Sequence, residues 1–476
     1  MLLTIDIGTS SLKSSIWDEN IYRISFNSIP LKIKDNNDYK HEINPSVWLR
    51  AFDESINKIK NDNKNIIHEI KAIVISGNGP SLVPVTGELS LANNVLEVSA
   101  QNARLWLDTR AVKYQKEISE LMGGYVDASF FLPKTLYIKN EENEIYNRIK
   151  YFLGCPEYLA YALTGEAKSV FPCEGFERWF WNNKILEKLN LDSKKFPPFI
   201  RPGELFGVLT EKVSAHYGFK KNIPVISGGP DFFAAVLGSG VKIPGEICDR
   251  TGSSEGINLC VDSHVIDKRL MSYRHPAGNF WNLSGIINTT GKAIDWGIEI
   301  LGLNNFDEFI SLAKKSKPGS GGIIFIPYLA GERAPIWNPS ARSMWNGISL
   351  SSSRNDFASS ILEGIGYAIR DVISVMEESG VKAEQLRVTG KLAGCAALNQ
   401  IKADITGLPV LEGNCKESEL LGLAIIGACY LGKFKNYTEA SSAAVKIEKT
   451  YEPNIKHKAM YDELFDKYKK IRNVEL

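Results

Sequence analysis

The sequence predicts an α/β protein of two large domains, and three observations carry that reading. The chain has 476 residues, more than one compact core organises. Short β-branched runs that stop at glycines alternate with stretches of helical periodicity. One order of elements, hairpin then helix then strand then glycine turn, occurs in each half.

In the first half, Leu2 to Ile7 and Leu12 to Trp17 are apolar runs joined by Gly8-Thr9-Ser10-Ser11, which predicts a hairpin. Pro45 followed by Trp48, Phe52, Ile56 and Ile59 predicts an amphipathic helix with one buried stripe. Lys71 to Ile75, running into Ser76-Gly77-Asn78-Gly79, reads as a buried strand that ends at a ligand crevice. In the second half, Gly245 to Thr251 and Gly256 to Val261 flank a second hydroxyl turn, Gly252-Ser253-Ser254. A helix is expected from about Phe357 to Met376, with Ile361, Ile365, Ala368, Val372 and Met376 on one face. Leu386 to Gly390 then gives a strand entering a glycine, with Ala393-Gly394 beyond it. The glycine-rich stretch Leu237 to Gly245 suits a hinge, which divides the chain into domains 1–241 and 242–476. Lys315 to Gly322 reads as a surface loop, and Lys456 to Arg472 as a solvated amphipathic helix.

Composition narrows the function classes. With 44% apolar and 23% charged residues and a net charge of +1, the chain carries no extended field for nucleic acid or anionic membrane. No apolar run reaches membrane-spanning length, and the start reads as a strand rather than a signal peptide. Seven scattered cysteines without a Cys-x-x-Cys pair predict reduced thiols in a cytoplasmic protein. Six histidines in no ligand spacing predict that any metal arrives with a nucleotide.

The two hydroxyl turns carry the chemistry. Backbone N–H groups of Gly8 to Ser11 can point at phosphate oxygens, because glycine permits close approach and short side chains do not obstruct it. Asp6 at the strand end is placed either to hold a hydrated Mg²⁺ or to stabilise the turn. Ile226-Ser227-Gly228-Gly229-Pro230-Asp231 presents a further carboxylate after a short strand. Two readings of Asp231 stand level: it accepts the proton of an alcohol in phosphoryl transfer, or it caps the helix that Phe232 begins.

These residues converge on a family resemblance. Ser343-Met344-Trp345-Asn346-Gly347-Ile348, seven residues, then Asp356 to Gly364 resembles the second signature of the FGGY carbohydrate kinases. Phe131 to Lys139 is similar to the first, with Tyr137 where tryptophan is usual, and Leu105-Trp106-Leu107-Asp108-Thr109-Arg110-Ala111 is also typical. The resemblance runs from residue 2 to about 432. It implies two ribonuclease H-like domains of the actin and hexokinase type with a nucleotide crevice between them, and ATP and Mg²⁺ as cofactors.

Residue by residue, the resemblance makes Asp231 the catalytic base and sets Asp6 and Asp231 at the metal. It puts Gly8, Thr9, Ser10 and Lys13 in the first phosphate loop and Gly252, Ser253 and Ser254 in the second. Gly390, Ala393, Gly394 and Gln400 fall in the adenosine segment, where Lys391 and Leu392 interrupt the usual run of three glycines.

The acceptor side departs from the family. Asn78-Gly79-Pro80-Ser81 stands where pentulose kinases carry Gln-Met-His-Gly, and the Arg-Glu pair of glycerol kinases is missing there. Phe232 follows the base where Asn or Gln is common, and a phenyl ring donates no hydrogen bond. The substrate-binding candidates are Asn78, Trp106, Asp108, Arg110, Asp231 and Phe232. Trp106 is an aromatic platform or a core residue, and Asp108 with Arg110 contacts a sugar or forms a local ion pair. Phe171, Phe176, Trp179, Phe180 and Trp181 line a sugar lobe or form core.

The expected function is ATP- and Mg²⁺-dependent phosphorylation of a hydroxyl of a small sugar, ketose or polyol, xylulokinase-like, with a homodimer as an expectation by analogy. Two rivals are a non-catalytic nucleotide-dependent sugar sensor of the same fold and a kinase of a non-sugar alcohol.

Overall fold

A computed structural model describes residues 1–31, 39–63, 65–92 and 95–474. Its contacts divide the chain into two units, Met1–Ala234 with Glu419–Ala444, and Ala235–Ser418 with Val445–Leu476. Each is built around one sheet.

The first unit holds a six-stranded sheet in the order Leu205–Val208, Pro224–Pro230, Ala72–Gly77, Leu2–Ile7, Ser11–Trp17, Arg23–Pro30. Leu2–Ile7 and Ser11–Trp17 form the expected antiparallel hairpin, closed by the Gly8 N–H donating to the Ser11 carbonyl at 2.9 Å. Ala72–Gly77 runs parallel to Leu2–Ile7 on one side and to Pro224–Pro230 on the other. Alternation along the strands sorts two faces, one of them apolar and the other mixed. Leu3, Ile5, Ile7, Ile73 and Ile75 share one core with helices Ser46–Asp62 and Cys155–Thr164. On the other face, helix Ser418–Tyr430 passes over Leu2 and Val74 at Gly427.

The second unit has a seven-stranded sheet in the order Met271–Arg274, Trp281–Ile287, Glu255–Val261, Glu246–Thr251, Gln385–Gly390, Val410–Gly413, Ile447–Tyr451. Its middle repeats the pattern of the first: an antiparallel ribbon of three strands, then two strands parallel to the first of them in sequence. Helix Arg354–Glu377 packs in this core with Ile361, Ile365 and Val372 fully buried. It starts three residues earlier than its apolar periodicity, because Ser353 and Asp356 close a reciprocal capping box.

Several expectations shift. Strand Arg23–Pro30 extends the hairpin into a ribbon. The expected hinge opens inside helix Asp231–Ser239, since Phe233 to Leu237 are buried and Gly238 does not break a helix held by packing. The single cut at 241/242 also differs from the partition by contact, which assigns 419–444 to the first unit. Ser320, in the expected surface loop, is buried and donates its hydroxyl to Glu363 Oε2 at 2.8 Å. The carboxy-terminal helix Lys458–Val474 buries Tyr461, Phe465 and Tyr468 on one face.

Among the described residues no helix is long and apolar enough to cross a membrane, and no group of three or more His, Cys, Asp or Glu could hold a metal by itself. All seven cysteines are free thiols.

Buried His275 makes a stability prediction. Its Nδ1 accepts the Ala277 N–H at 3.0 Å, and burial pulls its pKa down to about 4 from an ordinary 6.5. The neutral ring's contribution is fully present above the unfolded value and is lost as pH falls through the folded one. The expected loss is roughly 3 kcal/mol. Urea midpoints followed from pH 7 to pH 4 should fall less steeply in His275→Asn than in the wild type.

Candidate active site

Three parallel strands of the first unit end together. Ile7 is level with Gly77, and Gly77 with Pro230, so the Gly8 to Ser11 turn, Asn78 and Asp231 all emerge at one carboxyl edge. In open α/β sheets that edge is where ligands bind. Asp6 is buried one residue before the edge and stands opposite Lys13 across the hairpin, which puts both side chains on one face. Ser76, level with Asp6, donates its hydroxyl to the Gly229 carbonyl at 2.9 Å and ties the central strand to the glycines before Asp231.

Asp231 occupies the first turn of helix Asp231–Ser239, and its Oδ1 accepts the Phe232 N–H at 2.7 Å. Beneath the edge, the Cys155 thiol donates to the Asn78 carbonyl at 3.3 Å. Burial pushes that thiol well above its ordinary value, and the charges of Glu157, Asp6 and Asp231 add to the effect, so both aspartates lie within electrostatic reach of one sulfur.

Trp106 reaches the first turn, its indole N–H donating to Thr9 Oγ1 at 3.0 Å. Phe232 stacks on Phe176 with ring centroids 5.4 Å apart and planes 16° from parallel, and Phe176 in turn meets Trp179. The aromatic residues flanking Asp231 thus form a continuous row. Phe171, Phe180 and Trp181 pack into an adjoining cluster with Phe199.

Other acceptor-side candidates are turned inward. Asp108 has 0% exposure, and its oxygens receive Arg110 Nη2 at 2.6 Å and the His41 N–H at 2.9 Å. Arg110 also pairs with Glu42 at 2.6 Å, so the local ion-pair reading describes both residues. Asn78 spends its amide on the Ile7 carbonyl at 2.9 Å and on the Ser81 hydroxyl at 2.6 Å. These internal bonds hold the loops at the strand edge.

A residue that motif reading had left without a role holds those loops in place. Lys134, in the first signature, is fully buried and its amine donates to the carbonyls of Pro80 at 2.8 Å, Leu105 at 2.7 Å and Arg104 at 3.3 Å. Burial lowers its pKa to about 7. The sequence signal was a lysine on the apolar side of helix Phe131–Glu141. Lys134→Met strands buried carbonyls and should destabilise the chain by about 2 kcal/mol, read as a lower denaturation midpoint.

In the second unit the Gly252 N–H donates to the Ser254 carbonyl at 2.8 Å and closes the second turn, with Ser253 exposed at its tip. Helix Gly291–Ile300 starts against this turn: the N–H groups of Thr290 and Gly291 donate to the carbonyls of Ser253 at 3.1 Å and Gly252 at 3.0 Å. Thr251 is level with Gly390 on the parallel neighbour, so the segment expected to take adenosine leaves the same edge as the turn. Gly394 is exposed there, and Asn399 fixes the segment by donating to the Ala393 carbonyl at 2.7 Å. The Gln400 amide donates to Asp404 Oδ1 at 2.8 Å and to the Glu452 carbonyl at 2.9 Å.

Two sheets of one order, each with a hydroxyl turn off its first hairpin, define a two-domain α/β protein of the actin and hexokinase type. Comparison with known proteins agrees and goes further. The chain matches the N-terminal domain of the FGGY family of carbohydrate kinases over residues 1–238 and its C-terminal domain over residues 251–431. It belongs to that family, and its reaction class is phosphoryl transfer to a sugar. A xylulose kinase of Staphylococcus epidermidis is 28% identical over 489 residues, covering 99% of this chain and 96% of that protein. Among solved structures, a ligand-bound xylulose kinase from Lactobacillus acidophilus aligns with a TM-score of 0.86 and 23% identity over 100% of this chain and 98% of its own. A gluconate kinase from the same organism aligns with a TM-score of 0.87 and 23% identity, covering 99% and 97%.

Proposed function

We propose that the chain transfers the γ-phosphoryl group of ATP to a hydroxyl of a small sugar, a ketose or polyol, with Asp231 as the base. The observation that carries this reading is the common carboxyl edge at which Asp231, Asp6 and the Gly8 to Ser11 turn emerge. Asp231 accepts the hydroxyl proton as the new P–O bond forms, and the hydroxyl oxygen displaces ADP in line. Backbone N–H groups and hydroxyls of Thr9 and Ser10 meet phosphate oxygens from the first unit, with Lys13 adding charge. In the second unit, Gly252, Ser253 and Ser254 offer groups of the same kind to phosphate, and Gly390, Ala393 and Gly394 take the adenosine.

The site fits magnesium. Mg²⁺ is held by one or two carboxylates with phosphates and water completing its shell, and Asp6 and Asp231 are two hard oxygen donors on neighbouring parts of one strand edge. When bound, it supplies charge neutralisation on the transferring phosphates.

The acceptor is a ketose in the sense of the xylulose kinases it is similar to, with the ring of Phe232 backed by Phe176 as one wall. Trp106, tied to Thr9, brings a second ring to the phosphate turn. Measuring ADP release with xylulose, other ketoses, aldoses, polyols and sugar acids tests this. The expected result is the highest kcat/KM with a ketose. A flat response with nucleotide binding retained identifies the sensor, and a response to non-sugar alcohols alone identifies the other rival.

A further inference from the structure

Beneath the second turn lies a charged cluster that none of the chemistry above uses. Lys402, on helix Ala396–Thr406, has 1% exposure. Its amine lies 2.6 Å from Asp249 Oδ2 and 3.1 Å from Thr251 Oγ1, and it also donates to Glu255 Oε1. Thr251 adds a hydrogen bond to Glu255 Oε1 at 3.1 Å. Asp249 and Thr251 end the strand that enters the turn, and Glu255 begins the strand that leaves it. One lysine therefore joins both shoulders of Gly252-Ser253-Ser254 to a helix.

That helix also carries Asn399, which fixes the Ala393 carbonyl of the adenosine segment. Turn and adenosine segment are thereby referred to a single rigid element. We propose that Lys402 is a positioning residue for nucleotide, clamping the second phosphate turn to the helix that anchors the adenosine segment. The inference rests on the nucleotide assignment made above.

Stability alone does not account for the cluster. Removing charges from water costs several kcal/mol per ion, and apolar side chains of similar volume often hold a core as well or better. Directional bonds fix one spacing, which apolar contacts do not. Burial pushes the Asp249 carboxyl well up. Burial opposes ionisation of Glu255 as well, yet Lys402 beside it holds that carboxylate below its ordinary value. Phosphate-binding N–H groups must be held to within a fraction of an ångström, and a clamp of this kind does so at the base of the turn.

The test uses the full chain, with ADP in the presence of Mg²⁺ as calorimetric probe, and steady-state KM for ATP and sugar. Lys402→Met alone leaves two buried carboxylates and is expected to lower the thermal midpoint sharply. The informative variant is therefore the neutral triple Asp249→Asn, Glu255→Gln, Lys402→Met. It should unfold cooperatively near the wild-type midpoint, yet bind ADP at least tenfold more weakly and raise the ATP KM by a similar factor with the sugar KM unchanged. Lys402→Arg should recover most of the ADP affinity. Wild-type ADP affinity and ATP KM in the triple variant would overturn the proposal. A wild-type chain that binds ADP but phosphorylates no sugar defeats the kinase reading alone, and the ADP comparison still judges Lys402. A wild type that binds no ADP defeats both.

Discussion

Asp231→Asn should abolish sugar phosphorylation, with kcat lower by roughly 10²- to 10⁴-fold, while the fold and ADP affinity stay close to wild type. The asparagine oxygen can still accept the Phe232 N–H that Asp231 Oδ1 receives at 2.7 Å, so the start of helix Asp231–Ser239 keeps its hydrogen bond. What disappears is the basic oxygen that takes the hydroxyl proton in the proposed reaction. Coupled ADP-release kinetics with calorimetry on the same preparation separates the two effects. Turnover at the wild-type rate would remove Asp231 from the chemistry.

Gly422→Ala should be the most damaging change outside the strand edge. A methyl group at Gly422 would lie 1.9 Å from the Ala234 carbonyl oxygen, and the obstacle is backbone in helix Asp231–Ser239. Backbone cannot rotate aside as a side chain can, so one helix must shift. The expected destabilisation is at least ~4 kcal/mol, beyond ordinary overpacking. Because the displaced helix begins at Asp231, kcat should fall in whatever fraction remains folded. Denaturation midpoints and specific activity per folded molecule measure both parts; a midpoint unchanged from wild type would show that the crossing tolerates a methyl group.

How much the sequence disclosed depended on whether a signal was local. The hairpin about Gly8 to Ser11, the buried strand Ala72–Gly77 and the periodicity of helix Ser46–Asp62 follow from turn chemistry and apolar spacing within a few residues. Strand Arg23–Pro30 lay hidden because it is an edge strand with Ile24 and Phe26 exposed, which inverts the usual pattern. Helix Ser418–Tyr430 is apolar on every side because it is buried on every side, so no amphipathic stripe marks it.

The site was legible in its backbone parts and less so in its side chains. Turns and strand ends are written in glycines and hydroxyls. Whether Asp108, Asn78 or Gln400 faces a ligand depends on partners such as His41, Ile7 and Glu452, far away in the chain or contributing only a backbone group. Lys402 was a detectable anomaly, a lysine between Leu398 and Ile405 on a buried helix face, but its carboxylate partners lie near the other end of the unit's sequence.

The return of residues 419–444 to the first unit bears on how the chain is made. When Ala234 has left the ribosome, the sheet around Leu2 and Val74 still lacks helix Ser418–Tyr430 over one face. At ordinary rates of synthesis that gap lasts roughly ten to forty seconds. During it Leu2 and Val74, buried in the finished chain, lack the helix that passes over them. A fragment ending at Ala234 makes the interval permanent, and it is expected to aggregate unless residues 419–444 are supplied alongside it.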